Sequence, residues 1–107
     1  MAKSQEPVLF YGSNYDNDAA RVAIVSVYIE SALLHCGAEI YNQVVKSLEK
    51  NYDCDVADCY MHPEYLNEIF KTLPRDSRYQ IVESIRKGLE EFSYLRSISK
   101  FLYALNP

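Results

Sequence analysis

A chain of 107 residues that is 49% hydrophobic and 24% charged suits one folded domain, since it can bury roughly two-thirds of its unfolded surface and lies far from the low-hydrophobicity, high-charge regime of disorder. Fifteen acids against eleven bases give a net charge of −4, which argues against nucleic acid as a generic partner, because phosphate binding rests on clustered Lys and Arg. Three cysteines cannot all pair, no basic-then-apolar leader opens the chain, and Ala19 to Leu34 is interrupted by Arg21, Ser26, Glu30 and Ser31, so the expectation is a cytoplasmic domain without a disulfide framework or a membrane span.

Residues 1–15 read as an extended N-terminal arm, with Pro7, Gly12, Ser13 and Asn14 around the apolar patch Val8-Leu9-Phe10-Tyr11. Residues 16–107 read as a single helical domain. Asn14, Asp16 or Asp18 can cap its first helix, a side-chain oxygen accepting from an orphan backbone N–H. Between Ala19 and Cys36, Val22, Val25, Ile29 and Leu33 form one stripe at helical spacing, while Ile24, Val27, Tyr28 and Leu34 widen it beyond a single face. Such a helix is either central to the core or part of an interface. Gly37 suits the left-handed conformation that ends a helix, and a second helix restarts at Ala38 with Ile40, Tyr41, Val44, Val45, Leu48 and Tyr52.

Pro63 can occupy a first helical position, where its missing N–H has no partner to lose, and Glu64 then complements the helix dipole. The third helix is expected from Pro63 to about Leu73, with Leu66, Ile69, Phe70 and Leu73 inward. Pro74 resets the chain for a long fourth helix whose apolar positions are Val82, Ile85, Leu89, Phe92, Leu95, Ile98, Leu102 and Leu105. The extra spacing of three at Phe92 to Leu95 places a bend or break near Ser93. Gly88 weakens this helix by about 1 kcal/mol relative to Ala, and is either an exposed glycine or the mark of a close helix crossing. No strand pattern, repeat or low-complexity tract competes, so the expected architecture is all-α: a compact bundle of four to five helices with a long C-terminal helix.

The connector from Cys54 to Leu66 concentrates the chemistry. Cys54, Cys59 and His62, spaced C-x4-C-x2-H, supply three zinc-type ligands where a structural site uses four, the fourth being Cys36, His35 or an acid. The competing reading is that the cysteines pack as small buried residues and His62 caps the next helix. Asp53, Asp55 and Asp58 should raise the pKa of the thiols beside them, which disfavours a reactive thiolate. No cofactor is expected, zinc being the one this segment could hold. The chain's two histidines, His35 and His62, lie in no phosphate loop, nucleophile elbow or paired-carboxylate pattern, so no catalytic residue is assigned and the chain is read as a non-enzyme. Tyr60, Tyr65, Tyr94 and Tyr103 could build an amphipathic contact surface. A nucleic-acid adaptor would require Arg75, Arg78, Arg86, Lys87, Arg96 and Lys100 to cluster along the fourth helix.

The order Leu33-Leu34-His35-Cys36-Gly37, Tyr52-Asp53-Cys54, Asp58-Cys59, His62-Pro63-Glu64-Tyr65-Leu66 and Ile81-Val82-Glu83-Ser84-Ile85 resembles the Nitrosopumilus output domains of the fifth type, small helical domains of thaumarchaeal signalling-related proteins. The likeness covers roughly Arg21 to Phe92. It implies an archaeal output or regulatory module in signal transduction, acting through protein–protein interaction and without an assigned reaction. The partner is expected to be another protein or a second copy of the chain. The interface candidates are Ile24, Val27, Tyr28 and Leu34 on the first helix, with Leu95, Ile98 and Leu102 on the last. The alternative function is a metal or redox sensor built on Cys54, Cys59 and His62, with Cys36 as a further ligand.

Overall fold

A computed structural model describes residues 18–105, and all regular structure among them is helical. The N-terminal arm, residues 1–15, lies outside the described residues. Five α-helices follow in order: α1 Asp18–Cys36, α2 Ala38–Tyr52, α3 Pro63–Phe70, α4 Arg75–Leu89 and α5 Arg96–Ala104. Two 3-10 turns join them, Val56–Tyr60 between α2 and α3 and Glu90–Phe92 after α4.

Gly37 makes the corner between α1 and α2 in a single residue. Its φ of 136° and ψ of 149° lie where a Cβ is strained. Its N–H donates to the carbonyls of Leu33 and Leu34, and its own carbonyl accepts from the N–H of Tyr41 at 3.0 Å. α1 is the central element, packed against α4, the Val56–Tyr60 turn and α2. Val25, Ile29, Ala32 and Leu33, spaced four, three and one apart, form its inner face, the stripe a 3.6-residue repeat presents to one side. Opposite it α4 contributes Ile81, Val82, Ile85 and Leu89, α2 contributes Val44 and Leu48, and α3 contributes Leu66, Ile69 and Phe70. No polar or charged residue is buried among those described, so burial at roughly 1.5–3 kcal/mol per large aliphatic side chain supplies the main driving force.

The expected long C-terminal helix does not form; α4 stops at Leu89 and the last helix has nine residues. The spacing explains why. Leu89, Phe92, Leu95 and Ile98 follow one another at intervals of three, and nine residues at about 100° each would turn Ile98 roughly 180° away from Leu89 on a continuous helix. The chain instead tightens through the Glu90–Phe92 turn and opens at Leu95, φ −80° and ψ 120°, leaving both Leu89 and Ile98 fully buried. The hydroxyl and N–H of Ser93 both donate to the Glu90 carbonyl, at 2.8 and 3.1 Å. α3 likewise ends at Phe70, short of Leu73, and the Thr72 hydroxyl donates to the Ile69 carbonyl at 2.6 Å. Two side chains fasten the C-terminal helix: Asn67 of α3 donates to the Ala104 carbonyl at 2.9 Å, and Arg86 of α4 to the Leu105 carbonyl at 3.2 Å. Both satisfy carbonyls that a helix end leaves without an intrahelical donor.

Candidate interaction surface

The cysteine connector is organised by its acids. Asp53 ends α2 in the left-handed region, φ 52° and ψ 45°, with its N–H on the Glu49 carbonyl. Asp55 then caps the Val56–Tyr60 turn: its carboxylate accepts from the N–H of Ala57 at 3.0 Å, and the carboxylate of Asp58 accepts from the N–H of Asp55 at 3.0 Å. This reciprocal capping box holds the turn so that Val56, Cys59 and Tyr60 enter the core. Tyr60 packs its ring 6.2 Å from that of Phe101 on α5.

All three cysteines are free thiols. Cys59 is fully buried, with its Sγ 3.9 Å from the Asp55 carbonyl. Burial, followed by the neighbouring Cys54, Asp58, Asp55 and Glu64, pushes its thiol up to about 12. Burial and then Asp58, Asp55 and Asp53 raise that of Cys54. Both thiols are therefore protonated at neutral pH, a poor state for nucleophilic attack. His62 occupies the N-cap position of α3 without a side-chain capping bond. Its ring instead stacks on Tyr65, which stacks on Tyr52, at centroid distances of 4.7 and 4.2 Å. The His62 Nδ1 also lies 3.1 Å from the Glu64 carboxylate, whose pKa is lowered by the Glu64 N–H first and the His62 ring second. Among the described residues no three His, Cys, Asp or Glu side chains converge as a group able to hold a metal ion. Cys54, Cys59, His62 and Cys36 are not gathered into one.

The first-helix candidates fall on two sides of α1. Ile24 and Tyr28 are half-buried against the core, and Tyr28 sets its ring 6.3 Å from Phe92. Val27 is 58% and Leu34 54% exposed. With Ala23, also exposed, they run at intervals of four and seven, a single stripe on the outer side of the helix. Leu95 is half-buried, whereas Ile98 and Leu102 belong to the core and present almost no surface. By length and composition Ala19–Cys36 is also apolar enough to cross a membrane, with a mean hydropathy of 1.4. Here its Val25, Ile29 and Leu33 have no exposed surface.

Met61 and Tyr79, which the sequence pattern did not single out, are exposed, as are Tyr94 and Tyr103. Neither Met61 nor Tyr79 repeats at a helical interval with a second exposed apolar residue, so periodicity offered no signal for them. The six bases that a nucleic-acid adaptor would need along one helix are divided by the break: Arg75, Arg78, Arg86 and Lys87 lie on α4, and Arg96 and Lys100 on α5. Comparison of the chain with family models, curated proteins and solved structures gives no match in any of the three.

Proposed function

We propose that this chain is a non-enzymatic helical output module that acts by docking a protein, either a second copy or an apolar helix of a partner, on the outer side of α1. The observation that carries this reading is the pair Val27 and Leu34, each more than half exposed on the helix that also centres the core. Aliphatic side chains of this size lose favourable burial energy when left in water, roughly 25 cal/mol per Å² of apolar surface. A partner helix laid along Ala23, Val27 and Leu34 would recover it. A regulatory role for such a module is what the sequence resemblance implies, and a cytoplasmic setting is what the odd cysteine count implies. No observation favours the alternative of a metal or redox sensor at Cys54, Cys59 and His62.

Light scattering on the purified chain tests the reading, with Val27→Glu and Leu34→Glu as comparators. An oligomer that becomes monomeric in the variants, with unchanged helical circular dichroism, supports self-association. A monomer that captures a protein from its source lysate, and loses it in both variants, supports a separate partner. A monomer whose captures are indifferent to both substitutions would sink the proposal.

A further inference from the structure

The break before α5 sets the start of the last helix beside the start of α1. Arg21, three residues into α1, lines one open cleft there with Tyr94, Leu95, Arg96, Ser97 and Lys100. Ser97 and Lys100 also line a second cleft, a mostly apolar groove of about 330 Å³ that continues along α5. Ser97, Phe101 and Ala104, spaced four and three apart, form one side of this groove, and Tyr60, Met61 and Pro63 form the other. The buried rings of Tyr60 and Phe101, 6.2 Å apart, give it an aromatic floor. Met61 stands at its edge 68% exposed, an unbranched thioether that adapts to an apolar group laid against it.

The chain itself carries a segment suited to this groove. Ahead of α1 lies one apolar run, Val8-Leu9-Phe10-Tyr11. Residues 12–17 separate it from Asp18, the first residue of α1, and these six reach roughly 20 Å when extended. The whole of α5 rises only about 12 Å, so the run can reach the groove from the point where α1 begins. Gly12, Ser13 and Asn14 permit the turn this path requires. Charge agrees with the route. Residues 4–17 hold two acids, Glu6 and Asp16, and no base. Beside the path stand Arg96 and Lys100, both exposed, and no acid lines either cleft among the described residues.

We propose that Val8 to Tyr11 of the same chain dock in this groove, with the Phe10 ring on the floor made by Tyr60 and Phe101 and Asp16 beside Arg96 and Lys100. A tethered segment is present at an effective concentration on the order of millimolar, so a shallow groove suffices to hold it. The arm is then an internal competitor, and a partner's apolar segment gains the groove only by displacing it. This assignment does not depend on the docking role of α1, because it uses neither Val27 nor Leu34.

The full chain, labelled with carbon-13 and nitrogen-15, gives a readout that needs no variant: nuclear Overhauser contacts are expected between the Phe10 ring and the Met61 methyl group. Phe10→Ser should abolish them and shift the amides of Tyr60, Met61, Phe101 and Ala104 while leaving those of α2 in place. Met61→Glu, at an exposed position where the fold should survive, should in return shift the amides of residues 8–11. A sample that mixes labelled and unlabelled chains separates the sources, and contacts found only between copies would overturn the assignment in favour of a second copy's arm. Groove amides indifferent to Phe10→Ser, or Phe10 contacts confined to another face of the fold, would overturn it as well.

Discussion

Gly88 of α4 lies against the ring of Tyr28 of α1 so closely that a Cβ at position 88 would stand 2.8 Å from the Tyr28 Cε1. The glycine that weakens α4 as a helix is what lets the two central helices approach at this level. It also allows the Tyr28 ring to reach Phe92, 6.3 Å away at a tilt of 54°.

Gly88→Ala should therefore destabilise the chain, although alanine is the better helix former by about 1 kcal/mol. Overpacking a filled contact costs about 1–3 kcal/mol, and the crowding extends along the ring to the Tyr28 Cγ, which cannot swing clear as a chain end would. The decisive check is the sign change. In a Tyr28→Ala background the same Gly88→Ala substitution should raise the urea midpoint, and a midpoint lowered equally in both backgrounds would refute the crossing.

The Asp55–Asp58 capping box makes a second measurable claim. Asp55→Ala should cost about 1 kcal/mol and Asp55→Asn a good deal less, since asparagine also accepts at an N-cap. Asp58→Ala should add little in the Asp55→Ala background, because the two bonds hold the same turn. Urea unfolding of the two single variants and the double variant tests this, and strict additivity would argue against a shared cap.

Cys59 links the core to alkaline pH. Its ordinary value is 9.0 and the folded chain raises it to about 12, so the native state holds a proton that the unfolded chain releases. That stabilisation is complete below pH 9.0 and is lost as pH rises toward 12. Denaturant midpoints measured between pH 8 and about 11 should fall, and Cys59→Ala should flatten the part of the fall that this thiol causes. Native alkylation at pH 8 should leave Cys59 unmodified until the chain is unfolded.

The two sides of α1 should separate cleanly by substitution. Ile29→Ala, at a position with no exposed surface, should cost about 2–5 kcal/mol. Val27→Ser and Leu34→Ser should change monomer stability by roughly 0.5 kcal/mol or less. Thermal unfolding at low protein concentration reads this difference, and a large loss at Leu34 would place that side chain in the core.

Much of the architecture is legible in local pattern. The 3.6-residue stripe picks out Val25, Ile29 and Leu33 as an inner face, and Gly37, Pro63 and Pro74 mark boundaries through their own backbone constraints. The run of threes from Leu89 to Ile98 already rules out a straight C-terminal helix once it is followed to its end, where the facing has reversed. The reciprocal acids Asp55 and Asp58 are a readable cap as well, although beside two thiols they invite an electrostatic reading first. These features are local because each depends on residues within a few positions of one another.

Contacts made across the fold are of another kind. Nothing near Gly88 in the chain announces Tyr28, and nothing near Arg96 announces Arg21. Whether Leu34 faces water and Ile98 the core depends on how α1 crosses α4 and how far the chain turns at Leu95. Periodicity assigns each helix an apolar side but not the neighbour that covers it; that follows from packing the helices together, where a side wider than its partners leaves Val27 and Leu34 outside.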